Sequence, residues 1–195
     1  IDFNTLGLLI GMMILVSITA KTGLFDYVAI KTAKAAKAQP RRLLIYLGFI
    51  TALFSAFLDN VTTVLLMVPV TFAITNKLHI PVVPFLLTQI LASNVGGTAT
   101  LIGDPPNIII GTSLGYTFFD FIENTGAVVA LCFVFMLIYF TLCFRKELER
   151  AEHANGGPVT CPEPSTAIKN KAAFLSSAVV FLIAVALLIT HAQTE

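Results

Sequence analysis

Charged residues are absent from long stretches of this chain. Between Arg42 and Lys77 the only residue charged at neutral pH is Asp59, and none falls between Glu123 and Arg145. About 20 helical residues cross the hydrocarbon core of a bilayer, so charge-free apolar runs of this length predict membrane spans. Residues 3–20 read as the first span. Residues 24–38 differ: Lys31, Lys34 and Lys37 recur every third position, with Phe25, Val28 and Thr32 elsewhere on the wheel. That pattern predicts an amphipathic helix lying in the membrane plane with its lysines at the headgroups. Arg41 and Arg42 complete a basic cluster on the cytoplasmic side by the positive-inside rule.

The run 43–76 is too short for two full crossings, which need about 40 residues plus a turn, and too long for one. A re-entrant hairpin fits, with arms 43–58 and 64–75, both too short to span, and a tip at Asp59-Asn60-Val61-Thr62-Thr63. Pro81 and Pro84 open the next element, which stays apolar to Ala92 and then breaks over residues 93–107. Gly96, Gly97, Gly103, Pro105 and Pro106 exclude a regular buried helix there. Apolar sequence resumes at Ile108, so a broken helix is predicted over 84–114. Irregular backbone at that depth survives only where protein buries it or it lines a polar cavity. Residues 116–125 read as an outer loop, 126–144 as a span, and 145–171 as a polar cytoplasmic connection with a Gly156-Gly157-Pro158 turn. Residues 172–195 read as a truncated further span, over 172–190. With the hairpin turning back, the cationic clusters after Phe25 all fall on one side.

Composition agrees: 56% of the 195 residues are hydrophobic and 12% charged, against roughly 25% charged in a soluble domain. A net charge of +1 gives no electrostatic case for a nucleic-acid partner. Cys132, Cys143 and Cys161 read as small packing residues rather than a disulfide framework. The chain opens inside a span without an initiator Met, so it is expected to be a piece of a longer protein.

Asp59 and Asp104 lie where lipid is expected, and an intramembrane carboxylate costs several kcal/mol by insertion scales, which makes it a functional candidate. Each sits beside a helix break, where freed backbone groups and half-helix ends ligate ions. Asn60, Thr62, Thr63, Asn94, Thr98, Thr100 and Asn107 add neutral oxygens, the ligand type that hard cations prefer. Gly96, Gly97 and Gly103 admit close backbone approach. Asp59, Asn60, Asn94 and Thr98 form the candidate Na⁺ set. Structural readings stand beside these: Asp59 as an N-cap with Thr62 and Thr63 in the first turn, Asp104 as a turn residue before the prolines, and Gly96-Gly97 as tight helix packing. His79, His153 and His191 form no metal constellation. An intramembrane aspartyl protease is the enzyme alternative, on a superficial likeness of Leu101-Ile102-Gly103-Asp104 to a Gly-x-Gly-Asp signature. Leu101 stands at the first glycine position, however, and the prolines break the helix that such an aspartate needs.

Residues 57–64 and 94–107 resemble the ion transporter superfamily, nearest the branch of arsenite permeases and NhaD-type sodium–proton antiporters that includes the melanosomal P protein. The resemblance runs from about Gly23 to Phe144. It implies an all-α polytopic membrane protein of two inverted repeats, each with a re-entrant hairpin and a broken helix, assembled as a homodimer in the bilayer. Residues 1–144 would be the first repeat and 172–195 the start of the second. It also implies a sodium and substrate site built from Asp59, Asn60, Thr62 and Thr63 at the tip, and from Asn94, Gly96, Gly97, Thr98, Asp104 and Asn107 at the break. The dicarboxylate branch has Ser-Asn-Thr at the tip and Thr in place of Asp104. Aspartates at both points repel a carboxylate substrate, and of two neighbouring carboxylates one tends to keep a proton. The expected function is therefore Na⁺/H⁺ antiport by alternating access, then arsenite or antimonite efflux, then dicarboxylate or citrate transport. Na⁺ and H⁺ are the coupling ions, no cofactor is expected, and a bacterial source would place the protein in the inner membrane.

Overall fold

The computed structural model describes residues 3–37, 39–154, 163–168 and 170–191. Among them there are helices and connections only: α1 (Phe3–Lys21), α2 (Leu24–Ala35), α3 (Pro40–Ser55), α4 (Asn60–Leu78), α5 (Val83–Gly97), α6 (Pro105–Leu114), α7 (Phe118–Cys143), α8 (Arg145–Ala154) and α9 (Lys171–His191), with a short 3₁₀ turn at Pro164–Ala167. Local chemistry sets most of the boundaries. Prolines at the starts of α3 and α5 suit the first helical turn, where a missing N–H costs nothing. Asp59 caps α4, its Oδ1 accepting from the Thr62 amide at 2.8 Å. His79 ends α4 in the left-handed region, at φ 52°.

The bundle centres on α3, α4 and α5. Cross-helix bonds from Asn60 to Asn94 and from Thr71 to Gln89 set α4 antiparallel to α5. The contacts of Gly48 with Thr88 and of Gly96 with Ala52 set α3 parallel to α5. Alanines 29, 33 and 36 of the α2 segment bury one face against Leu43, Leu44 and Leu47 of α3 and Met67, Ile74 and Leu78 of α4. The last nine residues of α1 meet α2 at a bend of 62°, with Gly23 at φ 85° between them. Outside this core, α7 exposes Val128, Leu131, Val134, Phe135, Ile138 and Leu142. Its 26 residues extend about 39 Å at 1.5 Å each, more than a bilayer core needs. By length and hydropathy both α4 and α7 qualify as spans.

Several boundaries depart from expectation. The hairpin turn is residues 56–59 rather than 59–63, because the Asp59 cap draws Asn60–Thr63 into the first turn of α4. Its returning arm, expected over 64–75, is the 19-residue α4, about 28 Å long and so not too short to span. The break is confined to 98–104, since residues 93–97 finish α5 and Pro105–Asn107 start α6. The expected loop 116–125 is mostly helix: Thr117 and Asp120 close a reciprocal capping box, with Thr117 Oγ1 to Asp120 Oδ2 at 2.7 Å. The polar connection contains α8, which buries Leu148 and Ala151 in the α3–α4 core. There Glu149 accepts from Arg145 at 2.7 Å and Arg41 at 3.4 Å. The in-plane helix stops at Ala35, three residues short, as Lys37 turns to φ 53°. The Gly156-Gly157-Pro158 turn, Cys161 and the end of the 172–195 segment lie outside the described residues.

Candidate functional site

The hairpin turn and the helix break are joined by the Thr100 hydroxyl, which donates to the Ala56 carbonyl in the turn. Alongside, Asn60 Nδ2 at the start of α4 donates to Asn94 Oδ1 near the end of α5 at 3.0 Å. Asn107, buried at the start of α6, donates to the carbonyls of Gly97 and Thr100, each at 2.9 Å. One amide thereby satisfies two carbonyls freed by the break, as irregular backbone in an apolar bundle requires.

The glycines set how closely these parts approach. A Cβ on Gly96 would fall inside the Ala52 backbone, and one on Gly103 would strike the Gly97 and Ser55 carbonyls. Here the packing reading of the glycines holds: they bring α5 and the break against the end of α3, which places the break beside the hairpin turn.

Beside this junction lies a cavity of about 420 Å³. Phe57, Leu58 and Asp59 of the turn, Asn60 and Val61 of α4, Ile102 and Asp104 of the break, Pro105 and Ile108 of α6, and Met13 and Val16 of α1 line it. Two carboxylates from segments 45 positions apart in the chain thus face one largely apolar space.

The proposed site residues do not all converge there. Asp59, Asn60 and Asp104 line the cavity, and Asn94 is held to Asn60 at its edge. Thr62 donates its amide to Asp59, Thr63 is fully buried in α4, and Gly96 and Gly97 pack against α3. Thr98 is exposed and back-bonded to Val95 at 2.8 Å. Of the candidate Na⁺ ligands, Asp59 and Asn60 face the cavity, Asn94 spends its Oδ1 on Asn60, and Thr98 does not line it. Among the described residues no group of three or more His, Cys, Asp or Glu side chains gathers to hold a metal ion. The contribution of Met13 and Val16 has no signal in the sequence, because the apolar residues of α1 are spread around the whole helix.

Apolar helices around a break and a turn, with carboxylates at their meeting point, define a polytopic helical membrane protein. The chain belongs to the citrate transporter family, CitMHS, whose family model matches residues 1–194. It is 50% identical over 137 residues to an uncharacterized transporter of Mycobacterium tuberculosis, covering 70% of this chain and 32% of the relative. A second uncharacterized transporter, from Mycobacterium bovis, is 37% identical over 191 residues, 98% of this chain and 44% of the relative. The P protein of Homo sapiens is 41% identical over 144 residues, 71% of this chain and 17% of the relative. The chain thus spans less than half the length of these relatives. The superfamily resemblance drawn from the two motifs agrees with these matches.

Proposed function

We propose that the protein to which this chain contributes is a secondary transporter in which the turn–break junction forms one half of the translocation site, coupled to Na⁺ and H⁺ as in an antiporter. The observation that carries this reading is the pair Asp59 and Asp104 facing one cavity from two helix discontinuities. Carboxylates held in an apolar bundle hold negative charge that a cation or a proton neutralises. Exchange of one for the other is then a change of occupant at a single place. Arsenite efflux by the same scaffold ranks below this, since a neutral solute has no need of two aspartates.

Citrate-type transport is the second reading, favoured by the family to which the chain belongs. On that reading the same two aspartates face a polyanion, so the anion must enter with enough protons or cations to offset the repulsion. The two readings share the site and differ in the cargo.

Proton movement in proteoliposomes of the full-length protein separates them, with Na⁺, Li⁺, K⁺, arsenite or citrate added to separate samples. Proton efflux driven by Na⁺ or Li⁺, and abolished in Asp59→Asn with membrane insertion intact, is the expected result. Citrate uptake without a Na⁺-driven proton signal would retain the site and overturn antiport.

A further inference from the structure

Below the cavity, the three central helices turn polar side chains toward one another. Thr51 and Ser55 of α3, Thr63, Thr71 and Thr75 of α4, and Thr88, Gln89 and Ser93 of α5 are all 1% exposed or less. They follow the i, i+4 spacing that stacks side chains on one helix face: 51 and 55; 63, 71 and 75, with Met67 between; 89 and 93, leading to Gly97. From Gln89 to Gly97 the stripe on α5 runs about 12 Å.

Five of these hydroxyls are satisfied by their own helices. Thr51, Thr71, Thr75 and Thr88 donate to carbonyls four residues back at 2.7–2.9 Å, and Ser93 donates to Ile90. Three groups are not satisfied by the protein: Ser55 Oγ, Thr63 Oγ1 and the Gln89 amide nitrogen. The Gln89 orphan survives re-orientation of the amide. The single Thr71 hydroxyl proton is within reach of both the Met67 carbonyl, at 2.9 Å, and Gln89 Oε1, at 3.0 Å. Turning the amide over lets Gln89 donate to Thr71 and Thr71 to Met67, but then Oε1 is left alone. Either way one amide atom lacks a partner.

The orphans are not scattered. Ser55 Oγ abuts Gly97, where a Cβ would touch it at 3.4 Å, beside the break itself. Thr63 lies one turn below the Asn60–Asn94 bond, and Gln89 sits beside Thr71, two turns further along α4. Buried polar atoms in native proteins are paired with protein or with water. Each satisfied hydroxyl of the stripe also keeps a lone pair free to accept from a water, and a buried water is held by two to four such partners.

We infer that the α3–α4–α5 interface is a hydrated track, with bound water held at Ser55, Thr63 and Gln89 and the back-bonded threonines as further contacts. The track leads from the break beside Asp59 and Asp104 into the centre of the bundle. One consequence rests on the carrier reading above: protons reach the two carboxylates along the track without the bundle opening.

Hydroxyl radicals generated in situ by a short X-ray pulse oxidise side chains that touch bound water, whether or not bulk solvent reaches them. Met67 reports on the track, since it is 1% exposed and lies on α4 one turn from both Thr63 and Thr71. In the full-length protein Met67 is expected to be oxidised, and its oxidation to be lost when Thr63→Val and Gln89→Leu are combined. An unoxidised Met67 in the native protein overturns the track without any variant having to fold. Oxidation that persists in a folded double variant overturns the assignment of the water to these side chains. Neither measurement depends on which solute is carried, so the track and the transport reading fail separately.

Discussion

Asp59 caps α4 through Oδ1, which accepts from the Thr62 amide at 2.8 Å, and it also lines the cavity with Asp104. Two substitutions separate these roles. Asn is as good an N-cap as Asp, so Asp59→Asn keeps the start of α4 and removes the charge. Asp59→Ala removes both, and loss of a cap costs about 1 kcal/mol. Ion-coupled flux is expected to vanish in both variants, while the thermal midpoint in detergent falls only in Asp59→Ala. Equal stability of the two would show that the cap contributes nothing to α4. At this scale the sequence is informative: a lone carboxylate in an apolar run, followed by polar residues of the kind that cap a helix start, marks its own position. It leaves undetermined the partner of each polar atom. Asn107 is one oxygen donor among several in the motif, yet in the fold it works through its amide hydrogens, tying two carbonyls together across the break.

The meeting of α3 and α5 depends on the absence of side chains. Gly96 has the Ala52 backbone where a Cβ would stand, and backbone cannot move aside as a flexible side chain can. Gly96→Ala is therefore expected to push α5 off α3 and lower stability by about 1–3 kcal/mol, the usual cost of overpacking. Urea unfolding, or the midpoint of thermal aggregation, checks it. The turn and break would separate as well, so flux should fall further than stability alone accounts for. Gly7 and Gly11 of α1 have open space where a Cβ would stand, so Gly11→Ala serves as the comparison without overpacking, expected to hold or slightly raise stability. At the scale of elements, the existence of hairpin, break and long span is legible from Gly, Pro, Asn and Asp at fixed places in apolar sequence. Their ends are not, because caps decide them. Asp59 and Thr117 each draw residues that read as loop into a first helical turn. Residues 145–154 read as a polar connection on their high charge content. Leu148 and Ala151, three apart, are too few to stand out, yet their burial against α3 is what makes that segment a docked helix.

In the whole molecule the least legible feature is how α1 and α9 come together, since helices apolar on every side carry little register signal. The fold brings α9 onto the junction of α1 and α2. Thr22 and Ser177 share a hydrogen bond of 2.9 Å, the Phe25 and Phe181 rings meet edge to face at 6.0 Å, and Tyr27 meets Phe174 at 5.5 Å. Gly23 is pressed against the Ala167 carbonyl of the connecting turn, so the bend between α1 and α2 is held by the segment that leads into α9. If residues 172–195 open a second, inverted repeat, this contact is where the two repeats meet. It also fixes the end of α1 that bears Val16, and with it one wall of the cavity. Cysteines in place of Thr22 and Ser177 test the arrangement, because hydroxyls at hydrogen-bond distance put their carbons within the 3.5–4.5 Å that a disulfide bridges, or close to it. In the full-length protein, with Cys132, Cys143 and Cys161 replaced by serine, Thr22→Cys with Ser177→Cys is expected to form an intramolecular disulfide under mild oxidation. Proteolysis between residues 145 and 171 followed by non-reducing electrophoresis reads it directly, since linked halves migrate together. Halves that separate would place α9 elsewhere. A carrier whose moving part slides past this contact should stall when the bond forms and recover on reduction. Uninterrupted flux through the cross-linked protein would make the α1–α9 contact part of the stationary frame.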